Sequence, residues 1–297
     1  MPYAHENGCS TWHYSTCHEA ARNGHLSTVK FLHENQCPWN EQTCAAAAEG
    51  GHFHIIKYAH DNGCRWSSSA CVSAAKNGHL NILKWLHAKA CPWDQSACSA
   101  AAGNGHLKVL KFLHDNGCLW DMQTTRAAAE NGHLDVLMYA YENGCPMDRE
   151  SSSLAARYGH LDVLEYCYES GCPWDARTCE HAARNGHLDT LKYAREHGCP
   201  WNVKTCHVAA EHGHLEVLKY AHENSCSWDE ETCSWAAKMG HLGLLEYAHK
   251  SGCPWRASTC IAAAENGHLE ILSMPMKMGV GGLWMNKRAG GQPGAVR

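Results

Sequence analysis

Two cysteines and two histidines near residue 200 have the residue types and the spacing of a zinc site. Cys199 and Cys206 are separated by six residues, and His197 and His207 lie just outside them. Thiolate and imidazole groups are the usual ligands of structural zinc, which takes four of them in a tetrahedral arrangement. The alternative is that both cysteines are packed in the interior, because a buried free cysteine behaves as a small hydrophobic residue. How regularly the four residues recur along the chain decides between these interpretations.

The cysteines recur in two series that do not keep a zinc-ligand set together. One series runs without a break from Cys9 to Cys253, whereas the other, which contains Cys206, is interrupted at Thr125 and Ser152. Most copies have no counterpart of the two flanking histidines. We therefore expect two ladders of packed thiols, with no stoichiometric zinc or other metal, no cofactor and no catalytic residues. A disulfide between the two cysteines of one copy remains geometrically possible.

A Gly-His dipeptide shows that the whole chain is periodic. It recurs every 27 residues, at 24–25, 51–52, 78–79, 105–106, 132–133, 159–160, 186–187, 213–214, 240–241 and 267–268. Ten copies at a fixed spacing are the signature of a repeat array. Because a catalytic role would require ten identical sites, we expect these histidines to cap the second helix of each copy or to form hydrogen bonds at its start.

Each copy predicts two short antiparallel helices and a turn. In residues 205–231, Thr205 is the expected N-cap of the first helix, and Gly213 supplies the left-handed residue that ends it. A second helix follows, with Leu215, Leu218 and Ala221 along its buried face. Glycine and proline in the Gly-Cys-Pro-Trp-Asp turn then stop this helix in most copies. No segment alternates with a period of two residues, so we expect no sheet.

These residues resemble the ankyrin repeat, whose longer unit contains a Thr-Pro-Leu-His-x-Ala-Ala element followed by Gly-His and a leucine-rich helix. Here "AAEHGHLEVLKYAHEN" follows the helical part closely. The resemblance implies an all-α, ankyrin-like helical repeat solenoid in which the β-hairpin fingers are reduced or absent. It also implies that Cys199 and Cys206 occupy interior positions and that the first helices line a concave groove.

The composition limits the kinds of protein that the chain can be. Its 297 residues carry a formal net charge of −5 with no basic stripe, which argues against nucleic acid as a partner. No apolar stretch approaches the ~18 residues of a membrane span, and the N-terminus does not resemble a signal peptide. Nineteen cysteines, an odd number, suit a reducing compartment. We expect a protein of the cytoplasm or nucleus that binds neither nucleic acid nor membranes.

The array predicts one domain over residues 1–272, with about ten repeats of which the first and last are incomplete. Residues 273–297 depart from the repeat, are rich in glycine and are expected to be a disordered tail, with Pro275 ending the last helix. The absence of polar capping repeats predicts that the chain is a fragment of a longer array, with a tail that is an artefact of gene prediction.

Tryptophan recurs at one position of the turn. The copies are Trp39, Trp66, Trp93, Trp120, Trp174, Trp201, Trp228 and Trp255, with Met147 in the remaining repeat. Replacement by methionine keeps the apolar bulk and loses the indole N–H, which favours a packing role over the stacking of nucleic-acid bases. We expect these side chains to cover the apolar surface that a missing finger leaves open.

Positions that vary between repeats are the candidates for a specific function. On the first helices, residues at offsets of four and seven share one face and form a stripe along the array. We define the candidate binding surface as its richer part: Glu150, Leu154, Arg157, Arg177, His181, Arg184, Lys204, Val208, Glu211, Glu231, Trp235 and Lys238. Tryptophan and arginine are frequent among residues that dominate binding energy.

The expected function is therefore that of a monomeric, non-catalytic scaffold that binds a protein partner through this surface. A thiol- and histidine-rich metal or redox buffer is the first alternative, and a structural spacer of a larger protein is the second. The alternative interpretation of the candidate binding surface is that it is an ordinary solvated helix face.

Overall fold

Every repeat folds into a pair of short helices, most of them of nine residues. The computed structural model describes residues 12–277, with side chains to residue 273, and no strand occurs in that part of the chain. The helices are α1 Tyr14–Arg22, α2 Leu26–Glu34, α3 Glu41–Glu49, α4 Phe53–Asp61, α5 Ser68–Lys76, α6 Leu80–Ala88, α7 Gln95–Gly103, α8 Leu107–Asp115, α9 Met122–Glu130, α10 Leu134–Glu142, α11 Arg149–Tyr158, α12 Leu161–Glu169, α13 Ala176–Arg184, α14 Leu188–Glu196, α15 Val203–Glu211, α16 Leu215–Glu223, α17 Glu230–Met239, α18 Leu242–Lys250, α19 Ala257–Glu265 and α20 Leu269–Lys277. The all-α prediction is confirmed for these residues.

The described helices belong to two compact units. The first unit ends at Trp174 and contains α1–α12, and the second begins at Asp175 and contains α13–α20. Within each unit, consecutive odd-numbered helices, which are the first helices of the repeats, pack against each other. The even-numbered second helices pack behind them and approach one another much less closely. Each unit is thus a helical repeat solenoid built on its first helices.

Alanine and cysteine on the first helices explain this close packing. In α15, for example, Cys206, Ala209 and Ala210 are fully buried, and the interior position of Cys206 is the one that was predicted. Small side chains let neighbouring helix backbones approach, whereas the second helices contribute leucine and aromatic side chains that hold them further apart. On α16 the buried residues are Val217, Leu218 and Ala221. Leu215, which the periodicity placed on that face, is only half-buried.

The first helices begin earlier than predicted. Thr205 was expected to be the N-cap of α15, but it lies inside the helix and is buried. Asn202 is the N-cap, and its side chain accepts a hydrogen bond from the Lys204 amide at 2.9 Å. Asp94, Asp121, Asp148, Asp175 and Asp229 act in the same way in other repeats. The aspartate or asparagine after the tryptophan is therefore the helix start signal, in line with the strong preference for these residues at N-caps.

The Gly-His dipeptide both turns the chain and joins neighbouring repeats. Gly213 has φ +77°, the left-handed conformation that was predicted for it. His214 follows at the N-cap position of α16, yet its side chain makes no capping hydrogen bond there. Its Nε2 instead lies 2.9 Å from the carbonyl of Arg184, the last residue of the first helix in the preceding repeat. The histidine thus satisfies a carbonyl that the helix C-terminus leaves free.

The same bond recurs along the array. His52, His79, His106, His160, His241 and His268 each hydrogen-bond a carbonyl thirty residues earlier, at 2.9–3.2 Å. A hydrogen-bonding role for these histidines was expected, but not its target in the preceding repeat. Burial lowers the pKa of His214, because the charged imidazolium is the form that loses its hydration.

The cysteines form the predicted buried ladders. All cysteines of the described region are free thiols, and all except the half-buried Cys260 are buried. The thiols of one repeat hydrogen-bond each other, as Cys17 and Cys37 do at 3.2 Å. Turn cysteines also donate to a backbone carbonyl, as Cys226 does to Asn202 at 3.3 Å. These thiols therefore act as hydrogen-bonding groups as well as small hydrophobic residues, because an interior carbonyl needs a donor.

Most of the recurrent tryptophans stack on a flat side chain of the preceding second helix, whereas Trp255 meets His249 edge-on. His60 lies parallel to Trp66 with ring centroids 4.0 Å apart, and the same arrangement pairs His33 with Trp39, His87 with Trp93, His114 with Trp120 and His222 with Trp228. Where the histidine is replaced, stacking is kept, with Tyr168 on Trp174 and the Arg195 guanidinium 4.6 Å from the Trp201 ring. The packing role of these tryptophans thus includes a specific stacked partner.

The C-terminal expectation is partly wrong. Pro275 was expected to end the last helix, but α20 continues through it to Lys277. A proline inside a helix removes one backbone hydrogen bond and crowds the carbonyl four residues earlier, which kinks some helices and ends others. Residues 278–297 of the expected tail lie outside the described residues.

Candidate functional site

The candidate binding surface is divided between the two units. Glu150, Leu154 and Arg157 lie on α11 of the first unit. The other nine residues lie on α13, α15 and α17, three first helices of the second unit that pack in this order. The predicted helical face is therefore formed separately in each unit.

Most residues of this surface reach solvent, but Val208 does not. Arg157, Arg177, Arg184, Lys204, Glu231 and Lys238 are exposed, and Glu150, Leu154, His181, Glu211 and Trp235 are half-buried. Val208 is only 7% exposed, so its predicted place on an exposed stripe is wrong. Its position is the middle one of the three, where close packing of adjacent first helices covers a side chain of moderate size. At the same position in other repeats Leu154, His181 and Trp235 are half-buried and reach solvent.

The charged residues of the second unit are partly neutralised by their neighbours. Arg184 on α13 lies 3.7 Å from Glu211 on α15, and Arg177 lies 3.3 Å from Asp175 at the start of its own helix. Pairs as exposed as these contribute little to stability, because water screens them. The face therefore carries both positive and negative charges close together. Its areas differ in shape and in apolar surface rather than in net charge.

Trp235 marks the one area of this face with a large apolar side chain. The Lys238 ammonium lies 4.7 Å from the centre of its ring, a cation–π arrangement one helical turn along α17. A cleft of about 360 Å³ opens beside it between α17 and α19, and its lining includes Glu230, Glu231 and Ser258. A half-buried indole at the wall of a cleft can receive an apolar side chain and exclude water from it.

A second cleft lies beside the first-unit part of the surface. It has a volume of about 520 Å³, and Glu150 and Leu154 line it together with Arg126 and Glu130. Arg126 on α9 donates from Nε to the Asp148 carboxylate at 3.1 Å, and a second nitrogen also contacts this carboxylate. The Arg126 guanidinium holds the pKa of Asp148 below its usual value, mainly through the hydrogen bond. This cleft is therefore more polar than the cleft beside Trp235.

Arg126 belongs to a set of contacts that the sequence analysis did not identify. His207, initially a candidate zinc ligand, occupies the same position on α15, and its Nε2 lies 2.7 Å from the carboxylate of Asp229, the N-cap of α17. His18 with Asn40 and Glu180 with Asn202 repeat the arrangement. The partners are always 22 residues apart, so this recurring spacing was the available signal. These residues align neighbouring first helices and thereby position the face between them.

No group of three or more histidine, cysteine, aspartate and glutamate side chains within residues 12–273 is arranged to hold a metal ion. No helix within residues 12–277 is long and apolar enough to cross a membrane.

Comparison with known proteins identifies the family. Residues 17–96 and 71–151 match a family model described as ankyrin repeats in three copies. Residues 179–222 match a second model, described as ankyrin repeats in many copies. No curated protein matches the chain significantly. The matched residues make up more than half of the sequence and coincide with the stacked helix pairs, so the chain belongs to the ankyrin repeat family.

Proposed function

We propose that this protein is a non-catalytic scaffold that binds a protein partner through the first helices of its second unit. Ankyrin repeats generally mediate protein–protein interaction, and the family is typically non-catalytic. The observation that carries the proposal is Trp235, a half-buried indole that stands at the wall of a cleft on an otherwise polar face. Tryptophan and arginine at such positions commonly supply most of an interface's binding energy.

The packing of the helices supports this choice of face. First helices lie closer together than second helices within each unit. Closer spacing on one side bends a stack of repeats toward that side, which favours a concave groove lined by first helices. Charged residues of the same face would form the polar rim of such an interface: Glu231 beside Trp235, and Lys204 and Arg184 on the two preceding first helices.

The buried thiols make the alternative of a metal or redox buffer less suitable. A buffer must present many accessible thiolates, whereas here nearly all described thiols are buried and hydrogen-bonded to each other or to backbone carbonyls. In the proposed function the protein is a monomer that acts inside the cell without a nucleic-acid or membrane partner.

A pull-down from lysate tests the proposal. The wild-type chain is compared with an Arg184→Glu, Trp235→Ala variant, which removes the indole and reverses one charge of the rim. The control is an Asp189→Lys, Glu216→Lys variant, which changes two exposed residues on the second helices α14 and α16. Circular dichroism establishes that all three proteins are equally helical.

We expect a set of proteins that the wild type and the control capture and the first-helix variant does not. Equal capture by all three would refute binding through this face. Loss of capture in the control alone would place the binding surface on the second helices instead.

A further inference from the structure

One repeat of the first unit departs from the others at three positions. Met147 replaces the recurrent tryptophan, and Ser152 replaces the first-helix cysteine, as Thr125 does one repeat earlier. Cys167 stands where the other described repeats have leucine or alanine or, in the last one, Pro275. All three changes occur between α10 and the end of α12. Met147 and Cys167 have no counterpart in any other described repeat, so their contacts in the structure are informative.

The three residues meet around a fourth, Cys172. The Cys167 thiol donates to the Met147 sulfur at 3.7 Å, and the neighbouring Cys172 raises the pKa of this thiol. The Cys172 thiol itself donates to the Asp148 carbonyl at 3.0 Å. The Ser152 hydroxyl donates to the Cys172 sulfur at 3.2 Å. Cys167 is fully buried, Cys172 is 8% exposed and Met147 is half-buried. The departures therefore gather two thiols and a thioether in one place, with the thioether on the side of solvent.

Such a set of sulfur atoms has the chemistry of a soft-metal site. We propose that Met147, Cys167 and Cys172 bind one monovalent copper ion, Cu(I), as two thiolates and a thioether. Soft thiolate and thioether ligands select Cu(I), whereas structural zinc takes four ligands from cysteine, histidine and carboxylate side chains. In the other described repeats, tryptophan at the position of Met147 leaves the thiol pair without a third sulfur.

The residues around the sulfurs can compensate the change in charge. Binding of Cu(I) forms two Cu–S(thiolate) bonds and releases the two thiol protons to water, so the site gains a net charge of −1. The Ser152 hydroxyl already points its hydrogen at the Cys172 sulfur, and a charged acceptor strengthens such a bond. A cysteine at position 152, as in most repeats, would supply a weaker donor. The change to Ser152 is thus explained by a hydrogen bond to a residue that binds the metal.

Anaerobic competition with a chromophoric Cu(I) chelator tests the proposal on the full reduced chain. We expect one Cu(I) per chain to bind more tightly than any further equivalent, with three sulfur ligands in X-ray absorption spectra at one equivalent. Met147→Leu keeps the size of the side chain and removes the thioether. It should reduce the Cu(I) affinity of the tight site by more than about 10-fold. Loss of a residue that only hydrogen-bonds a metal ligand already costs about 10-fold, and loss of a ligand should cost more.

The matched control restores the common repeat with Met147→Trp, Ser152→Cys and Cys167→Ala. This variant keeps the number of cysteines and a buried thiol pair, but it should lose the tight site. Equal Cu(I) affinity in wild type, Met147→Leu and the restored variant would overturn the proposal, because any thiol pair would then suffice. Several equivalents of equal affinity would overturn it in the same way. So would a Cys167–Cys172 disulfide that forms readily in air while the reduced chain shows no preference for the first equivalent.

Discussion

The histidine of the Gly-His dipeptide offers the most direct test of how neighbouring repeats are joined, and His52 is the best position for it. Its Nε2 lies 2.9 Å from the carbonyl of Arg22, the last residue of α1. The imidazole ring also lies against the backbone of the preceding repeat. A Cβ atom added at Gly24 would come within 2.6 Å of the ring, so no space separates the two. Replacement by alanine removes both the hydrogen bond and this contact.

The expected loss follows from these two contacts. A typical hydrogen bond contributes about 0.5–1.5 kcal/mol to stability, and the carbonyl left behind is partly compensated because water can enter where the ring was. Lost packing of a half-buried ring adds a smaller amount. We therefore expect His52→Ala to reduce the free energy of unfolding by about 2 kcal/mol. The substitution should act mainly on the contact between the α1–α2 and α3–α4 repeats, because repeats are coupled only to their nearest neighbours.

His54→Ala is the matched control, since His54 lies two residues further on in α4 and is exposed. The assay combines urea unfolding with native-state hydrogen exchange of the amides in α1–α4, which reports local opening that a global transition can hide. His52→Ala should accelerate exchange in these helices, whereas His54→Ala should leave it unchanged. If the two variants agreed within about 0.5 kcal/mol, the usual range for surface substitutions, the histidine would not be what joins the repeats.

Three further predictions concern the thiols and two titratable groups. Burial raises the pKa of the Cys17 and Cys145 thiols to about 12, so a thiol reagent at pH 8 should modify these residues only after denaturation. A thiol titration with and without guanidinium measures this difference. Fast labelling of the native protein would contradict their burial. The hydrogen bond from Arg126 lowers the pKa of Asp148, so its stabilising effect is complete above the ordinary carboxyl pKa of about 4 and disappears as the pH falls below it. A double-mutant cycle with Arg126→Ala and Asp148→Ala should give a coupling of about 1 kcal/mol at pH 7 that decreases as the pH falls below about 4, and a coupling independent of pH would exclude the ion pair. Because burial lowers the pKa of His214, the unfolded state binds a proton at higher pH than the folded state does, and stability should decrease as the pH falls below about 6.5. The stability of His214→Ala should decrease less over the same pH range. Equal pH dependence of the two proteins would refute this assignment.

The features that repeat were predictable from the sequence, and those that connect one repeat to the next were not. The 27-residue period, the helix pairs, the left-handed Gly213 and the buried thiols follow from local preferences and from comparison of the copies. The bond from His214 to Arg184 joins residues 30 positions apart in different repeats, and no local preference points to it. The N-cap was misplaced because threonine and asparagine both cap helices well, and only the geometry of the turn favours Asn202 over Thr205.

The candidate binding surface was predicted less well than the fold, for a reason that Val208 illustrates. A helical wheel places residues on a face, but it does not show how closely the next helix approaches. Alanine-rich first helices pack so closely that Val208 is covered, while the indole of Trp235, at the same position one repeat later, extends to the cleft. The packing around each copy, rather than its place on the helical wheel, therefore determines whether this position reaches solvent.

The ten repeats of the chain also allow two kinds of variation to be distinguished. Arg195 replaces a histidine, but it still covers the Trp201 ring, so this change preserves a contact that the fold requires. Trp235 on a first helix does not preserve a recurrent contact. The residues at its position in other repeats are smaller, and they have no common partner that Trp235 could keep. A substitution that keeps its structural contact reports on folding, whereas one that creates a new exposed contact without a structural partner is a candidate for function. By this criterion the face around Trp235 is the strongest candidate for partner binding among the described first helices.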